Sequence, residues 1–144
     1  MERNTDPLLL SNQLCFPLYA AAREIVKRYH PLLSPLDLTY TQYIAMMVFW
    51  EEKECSARDL GNRLFLDSGT LTPVLKSLEA KGLIRRKRSE KDERVLMVTI
   101  TPEGEALREK ALKVPLAMAG CVALPPEDAA KLYALLYKIL DSIK

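Results

Sequence analysis

Histidine is nearly missing from this sequence, because His30 is the only one among 144 residues. A Ser-His-Asp or Cys-His hydrolase needs a histidine base beside its nucleophile, so this scarcity argues against both classes of enzyme. His30 lies directly before Pro31, where we expect a helix to end. We therefore favour a solvated histidine at a helix C-terminus over a catalytic one.

Cysteine is also scarce, and no two of the three cysteines have the spacing of zinc ligands. With a single histidine available, we expect no structural zinc, no other metal and no cofactor. Cys55 follows Glu54, whose negative charge disfavours a thiolate, so Cys55 is interpreted as structural.

Long apolar runs are absent. The longest one without glycine or proline covers residues 43–50 and ends at two glutamates, well short of the roughly 18 residues that span a bilayer. The first residues lack the charged and then apolar pattern of a secretory signal. We therefore expect no membrane partner and a cytoplasmic location, where thiols are normally reduced.

Charge is distributed unevenly, although the net charge is only +2. Residues 81–94 contain seven basic and three acidic residues, a local charge of +4, so the rest of the chain carries −2. A positive field this concentrated indicates a polyanionic partner. The alternative is a solvated charged hairpin without a partner.

A first helix is predicted at residues 7–30. Asp6 is a suitable N-cap, and Pro7 suits the first helical position. Apolar residues at helical spacing then form a broad stripe. Pro17 interrupts this stripe and is expected to kink the helix.

The next helices follow cap signals. Thr39 and Gln42 have the form of a capping box, and the helix that they open is apolar around most of its circumference, which predicts a place in the core. Ser56 is the expected cap of a short helix. After a turn, a second amphipathic helix is predicted at residues 70–81, with Pro73 in its first turn, where proline is tolerated.

After Gly82 the apolar period changes from 3.6 to 2, which predicts antiparallel strands at residues 83–88 and 95–100. Helices are then predicted at 103–119 and 126–143. Helix, turn, helix and basic hairpin together predict a mainly α (α+β) fold with a winged helix-turn-helix at 56–101.

We expect a single domain of residues 1–144. Its outer helices, at residues 7–30 and 103–143, are too apolar to be covered by so small a central part. They are therefore expected to join two copies of the chain in a two-fold homodimer, which matches two DNA half-sites about one helical turn apart.

The second helix of a helix-turn-helix presents its first residues to the major groove of double-stranded DNA, where small hydroxyl side chains permit close approach. Arg94 at the wing tip suits a narrow A·T-rich minor groove. Asp92 is expected to brace Arg94 by a charge-assisted hydrogen bond; the alternative is a surface ion pair of little energetic value. The predicted DNA contacts are Ser68, Thr70, Thr72, Pro73, Lys76, Arg86, Lys87, Asp92 and Arg94.

Four short stretches resemble the multiple antibiotic resistance regulator (MarR) family: Leu60-Gly61, residues 78–84 (LEAKGLI), residues 92–94 (DER) and residues 100–104 (ITPEG). The resemblance covers nearly the whole chain, and the Asp-x-Arg of the wing is its most specific element. It implies a homodimeric repressor, not an enzyme, that is joined through its N- and C-terminal helices and binds a pseudo-palindromic operator.

Cys15 lies on the apolar face of the first helix, where a cysteine is usually an inert part of the core. Tyr19 follows on the same face, and Tyr29 and Tyr40 flank the turn that returns towards that helix. Residues 14–19 and 67–76 resemble the organic hydroperoxide resistance regulators within the family. This resemblance implies that organic hydroperoxides oxidise Cys15 to a sulfenic acid, with Tyr29 and Tyr40 as its hydrogen-bond donors and Tyr19 as a weaker candidate.

Cys121 lies between the last two predicted helices, where the two-cysteine members of this subfamily have a resolving cysteine. By this resemblance, Cys121 would form a disulfide with Cys15 of the other subunit. A disulfide needs Cα atoms within about 7 Å, so the outer helices would have to move. The alternative is an unreactive cysteine at a helix junction.

Two rival functions stay open. A repressor of the same fold could be released by a phenolic or lipophilic ligand, in which case the tyrosines would line a ligand pocket. A thiol peroxidase could use Cys15 catalytically, but it has no use for a basic wing.

Overall fold

A computed structural model of the protein describes residues 5–143. The predicted domain of residues 1–144 therefore includes residues 1–4 and 144, which lie outside the described part. The helices are α1 Cys15–Leu33, α2 Tyr40–Glu52, α3 Ala57–Leu64, α4 Ser68–Ala80, α5 Pro102–Ala111, α6 Lys113–Ala119 and α7 Pro126–Ser142. The strands are β1 Glu54–Ser56, β2 Ile84–Arg88 and β3 Leu96–Ile100, and short 3-10 helices cover Leu10–Asn12 and Ser34–Leu36.

Hydrogen bonds confirm the helix caps predicted at Thr39 and Ser56, whereas the N-cap of α1 is Leu14 and not the predicted Asp6. Thr39 and Gln42 form a complete capping box, in which each side chain accepts a backbone N–H bond from the other residue, at 3.3 and 3.0 Å. The Ser56 hydroxyl accepts from the backbone of the third residue of α3 at 3.0 Å. Since these contacts are local, the sequence was sufficient to locate them.

The predicted bounds of the first helix were wrong at both ends. α1 begins at Cys15, eight residues after Pro7, and Pro17 therefore lies in its first turn, where proline does not kink a helix. The helix also continues past His30, which lies exposed in its last turn. Burial of Leu33 in the core, with 1% of its surface exposed, offsets the hydrogen bond lost at Pro31.

The recognition helix α4 starts two residues earlier than predicted, because Asp67 is its N-cap and accepts from the Thr70 N–H at 2.7 Å. Pro73 is consequently its sixth residue and lies beyond the first turn, so that expectation was wrong. The helix ends at Ala80, one residue earlier than predicted, and the expected C-terminal glycine follows as Gly82, whose φ of 77° is the left-handed conformation that glycine adopts readily.

The predicted hairpin is present as β2 and β3, and a third strand was missed. The sheet order is β1-β3-β2, with all pairs antiparallel and with Val98 of β3 between Cys55 and Arg86. β1 has three residues, too few for a period of two to be recognised.

The predicted helix at residues 103–119 is broken into α5 and α6 around Leu112. Pro115, the third residue of α6, has no N–H to donate to the carbonyl of Ala111. The continuous ladder of a single helix is therefore interrupted at this point.

The core lies between α2 and the helix-turn-helix. Ala45, Met46 and Phe49 of α2 are completely buried, as the apolar circumference of this helix predicted. In contrast, α7 has no buried residue, and Leu14, Leu116 and Tyr133 are 77%, 76% and 65% exposed. Apolar surface of this extent is typical of a protein–protein interface and supports the expected pairing of two copies through the outer helices.

Within residues 5–143, every helix is too short or too polar to cross a membrane.

A close approach of α5 to the start of the wing generates a stability prediction. A Cβ atom at Gly104 would lie 2.2 Å from the carbonyl oxygen of Leu83, and the Gly104 carbonyl accepts from the Trp50 indole at 2.8 Å. We expect Gly104→Ala to lower the free energy of unfolding by about 1–3 kcal/mol through overpacking. Denaturant unfolding at a fixed protomer concentration measures this change.

Gly120→Ala is the matched control for this substitution, because its Cβ would meet no atom closer than 3.7 Å. It should change stability by no more than about 0.5 kcal/mol. Equal stabilities of the two variants would show that α5 tolerates a side chain at residue 104.

Candidate redox site and nucleic-acid interface

The recognition helix α4 divides into a buried face and an exposed face. Leu71, Val74, Leu75 and Leu78 are buried against the core. The predicted DNA contacts on this helix are all exposed: Ser68, Thr70, Thr72, Pro73 and Lys76. The Thr72 hydroxyl donates to the Ser68 carbonyl at 2.7 Å, so its oxygen stays available as an acceptor.

Asp92 holds Arg94 at the wing tip by three hydrogen bonds. Its Oδ1 accepts from the backbone N–H and from Nε of Arg94, both at 3.0 Å, and its Oδ2 accepts from Nη2 at 3.2 Å. Hydrogen bonds from the Arg94 side chain and backbone lower the pKa of Asp92. Since the Arg94 side chain is 90% exposed, this pair presents a guanidinium group to the solvent. The hydrogen bonds between Asp92 and Arg94 are those that the sequence predicted. The contact of Arg94 with DNA stays a prediction.

Arg86, one of the predicted DNA contacts, is half-buried and paired with the recognition helix. Its backbone N–H donates to Glu79 Oε2 at 2.9 Å, and its Nη2 and Nε donate to Oε1 at 3.0 and 3.2 Å. These bonds lower the pKa of Glu79, and the Arg86 side chain is 22% exposed. The pair connects β2 to α4, a role that the sequence did not indicate because the charges belong to different elements. Lys87 is exposed, with Nζ 3.4 Å from the carboxylate of Glu90.

A groove of about 760 Å³ lies between α3, α4 and the wing. Asp67, Ser68 and Thr72 line its helical side, and Arg94 lines the side of the wing. Arg58 and Arg88 also line it, although neither was among the predicted contacts. A positively charged groove beside exposed hydroxyl groups is suited to a phosphate backbone.

Cys15 is the first residue of α1 and is exposed in the single chain, so it does not lie in the core of its own subunit. Tyr19 follows one turn later and is also exposed, with the Arg23 guanidinium 5.3 Å from its ring centre. The thiol is thus accessible to an oxidant unless a second chain covers it.

Tyr29 and Tyr40, which flank the turn between α1 and α2, contact each other. Their ring centres are 4.8 Å apart, and Tyr43 adds a third ring at 5.8 and 6.3 Å. Burial raises the pKa of Tyr29, and burial together with Tyr29 raises that of Tyr40. Both hydroxyls are therefore protonated at neutral pH and can donate hydrogen bonds.

The tyrosine pair cannot reach Cys15 of the same chain. Fourteen residues of α1 separate Cys15 from Tyr29. At 1.5 Å per residue this corresponds to about 21 Å along the helix. A site that contains the thiol and both hydroxyls must therefore combine Cys15 of one chain with Tyr29 and Tyr40 of another.

The other two cysteines differ in exposure. Cys121 lies in the turn between α6 and α7, where its thiol is exposed and its Sγ is 3.6 Å from the Ala117 carbonyl. Cys55 is buried in β1, and burial raises its pKa to about 11, with Glu52 and Asp59 adding to the shift. The structural interpretation of Cys55 thus rests more on burial than on the adjacent Glu54.

Helix, turn, recognition helix and basic wing define the class of winged-helix DNA-binding regulators. Residues 27–111 match the family described as transcriptional regulator SarA/Rot. The chain is also 46% identical over 143 residues to the organic hydroperoxide resistance transcriptional regulator of Bacillus subtilis (strain 168), which covers 99% of this chain and 97% of that protein. The chain therefore belongs to the organic hydroperoxide resistance regulators of the MarR-type winged-helix family, as the resemblance implied.

Solved structures of AbfR from Staphylococcus epidermidis have the same fold. The overoxidised form bound to DNA is 33% identical, with a TM-score of 0.77 over 94% of this chain and 95% of that one. The disulfide form is 34% identical, with a TM-score of 0.66 over 91% of this chain and 92% of that one. AbfR thus combines DNA binding with oxidised cysteine states.

The burial of Cys55 generates a prediction about thiol reactivity. At pH 8 a pKa of about 11 leaves about one thiol in a thousand as the reactive thiolate. Two variants each keep a single cysteine: Cys15→Ser/Cys121→Ser keeps Cys55, and Cys15→Ser/Cys55→Ala keeps Cys121. We expect Cys55 to react with iodoacetamide at least about tenfold more slowly than Cys121. The Cys55 rate should rise steeply between pH 8 and pH 10, because the thiolate fraction grows as pH approaches the pKa. Equal rates at pH 8 would contradict the buried position of Cys55.

Proposed function

We propose that this chain is a homodimeric, cytoplasmic DNA-binding repressor that is released from its operator when organic hydroperoxides oxidise Cys15. The observation that carries the proposal is an exposed Cys15 thiol that lies too far from the protonated Tyr29 and Tyr40 of its own chain, so that only a second chain could bring these groups together. The relatives are transcriptional regulators, and no enzymatic turnover is proposed for this chain.

The exposed faces of α1 and α7 supply the surface for dimerisation. Leu14, Phe16 and Leu18 surround Cys15 in sequence and are exposed in the single chain. A two-fold contact between the α1 helices would cover these side chains and place each Cys15 near the tyrosine pair of the partner. Their apolar character favours lipophilic hydroperoxides as substrates of the oxidation.

The oxidation needs no group from outside the site except the peroxide. The Cys15 thiolate attacks one peroxide oxygen, the O–O bond breaks, and the departing alkoxide takes a proton to become an alcohol. Sulfur is oxidised by two electrons to a sulfenic acid, and the hydroperoxide is reduced. The hydroxyls of Tyr29 and Tyr40 then donate to the new oxygen.

Cys121 is proposed to resolve this intermediate. Its thiolate attacks the sulfenic sulfur of the partner, the S–O bond breaks as a disulfide forms, and the leaving hydroxide takes a proton to become water. The turn that carries Cys121 is exposed, and α7 has no residue buried in its own subunit. This turn can therefore move without opening the core. Such a movement is needed, because a disulfide requires Cα atoms within about 7 Å of each other.

Movement of α7 would reach the DNA-reading helices. Tyr137 of α7 packs edge-on against Phe65, with ring centres 6.4 Å apart, and Phe65 is the residue that ends α3. A displaced α7 would shift the turn between α3 and α4. The two recognition helices of a dimer then no longer match two half-sites about one helical turn apart.

A ligand-released repressor is the second candidate, since a cavity of about 680 Å³ lies beside Tyr40. Val26, His30 and Lys81 are among its lining residues. This volume is within the range of small-molecule sites. A phenolic ligand would release DNA from wild type and Cys15→Ser alike, whereas an organic hydroperoxide would act only where Cys15 is present.

The central prediction concerns Cys15→Ser. Cumene hydroperoxide should lower the affinity of the reduced wild type at least about tenfold for a duplex that this protein selects from a random-sequence pool. Cys15→Ser should keep its affinity, because serine has no thiolate to oxidise. Fluorescence anisotropy in the presence and absence of the peroxide measures both affinities.

Retained binding by fully oxidised wild type would overturn peroxide sensing. Non-reducing electrophoresis of the same samples then tests Cys121. Cys121→Ser should give no crosslinked dimer, while a sulfenic-acid trap should still label its Cys15. A crosslinked dimer that persists in Cys121→Ser would remove Cys121 from the mechanism.

The wing generates a second prediction. Arg94→Ala should weaken binding to all duplexes, and its plot of log affinity against log salt concentration should be less steep by about one unit, because one counterion fewer is released. Arg94→Lys is the charge-matched control, which should keep the slope and lose the bidentate contact with Asp92. An unchanged slope in Arg94→Ala would contradict a wing that faces phosphate.

A further inference from the structure

Gln42 is a polar side chain inside an apolar core, with 7% of its surface exposed. Its amide oxygen accepts from the Thr39 N–H and from Lys81 Nζ, both at 3.0 Å. Its amide nitrogen donates to Ser77 Oγ at 2.9 Å. Each end of the amide thus has a partner, and two of the three partners lie 35 and 39 residues further along the chain.

The contacts of Lys81 extend this network to the loop before α2. Lys81 Nζ donates to the carbonyl oxygen of Asp37 and lies 3.7 Å from its carboxylate. Asp37 has a left-handed backbone conformation, with φ at 54°, at the end of the 3-10 helix. The loop, the first turn of α2 and the C-terminal end of α4 are therefore held together by two side chains, Gln42 and Lys81.

The capping role of Gln42 does not account for these contacts. A capping box requires only the bond between its side chain and the Thr39 N–H, which is a contact within three residues. The bonds to Ser77 and Lys81 add nothing to the cap, but they connect the start of α2 to the recognition helix. The start of α2 is also the position of Tyr40, the first residue of that helix.

We infer that Gln42 is a positioning residue that couples the tyrosine pair of the redox site to the recognition helix. This inference rests on the proposed function, in which Tyr40 donates to oxidised Cys15 of the partner. A change in the position of Tyr40 moves the first turn of α2, and Gln42 transmits this movement to Ser77 and Lys81. The last turns of α4 then shift with the redox state.

Burial makes this connection stiff. An amide that loses its partners inside a protein stays unsatisfied, whereas an exposed one regains hydrogen bonds from water. Separation of α2 from α4 at Gln42 is therefore unfavourable, and the two helices move together. An apolar contact at the same place would permit sliding, because dispersion forces have no fixed direction.

The test uses Ser77→Ala/Lys81→Met, which removes the connection to α4 and leaves the capping box intact. The measured quantity is the ratio of duplex affinities before and after oxidation by cumene hydroperoxide, with the same selected duplex as above. We expect this ratio to fall from at least about ten in the wild type to about one, a change within the range of couplings between distant sites. The rate of Cys15 sulfenic-acid trapping should not change, since the redox site keeps all its groups.

Gln42→Glu is the conservative variant at the centre of the network. Its carboxylate can accept hydrogen bonds from Thr39, Ser77 and Lys81, so it keeps all three contacts. It should preserve the wild-type ratio. Lys110→Met is the matched control for Lys81→Met, since it makes the same exchange at an exposed position of α5. It should also leave the ratio unchanged.

A double variant with the wild-type ratio would overturn the role of Gln42 while leaving peroxide sensing in place. A wild type that keeps its duplex after oxidation would instead remove the proposed function, and the coupling with it. Hydrogen exchange of the wild-type protein gives an independent readout that needs neither DNA nor a variant. Oxidation should change amide exchange in residues 77–81, and identical exchange in both redox states would contradict the coupling.

Discussion

The length of α1 is the constraint on which the rest of the structure depends. A straight helix holds Cys15 about 21 Å from Tyr29 of the same chain, so a site that uses both requires two chains. The apolar surface exposed on α1 and α7 is the surface through which two chains can join. In the proposed function, assembly and peroxide sensing therefore depend on the same interface, so that a change in one would affect the other.

The central helix α2 connects that interface to the DNA-reading surface. Tyr40 is its first residue, and Met46 and Phe49 in its middle are completely buried. Its last residue, Glu52, forms an ion pair with Arg63 of α3. Gln42 adds the contact with α4. In the proposed coupling, a movement at one end of α2 would be carried to both helices of the helix-turn-helix, because packed interiors deform little and shift between discrete arrangements.

Much of the fold was predictable because its signals are local. The Thr39 capping box, the Ser56 cap and the strands of the wing each depend on residues a few positions apart. The errors arose where distant contacts outweighed local preferences. Burial of Leu33 carries α1 past Pro31, and pairing with β3 makes a strand of the three residues around and including Cys55. Glu79 binds Arg86, which the sequence had assigned to DNA. The AbfR structures and the Bacillus relative confirm the family that the motifs indicated, while the roles of individual site residues await the experiments above.

The sequence by itself determined the order of elements, the charge of the wing and the presence of Cys15 with its tyrosines, because periodicity, capping and composition are properties of neighbouring residues. Only the tertiary structure decided which of these groups meet. It placed Cys55 inside the core, joined Gln42 to the recognition helix, and brought Tyr29 of α1 against Tyr40 of α2. These outcomes depend on distances between elements that lie far apart in the chain, and a pattern of neighbouring residues carries no measure of such distances.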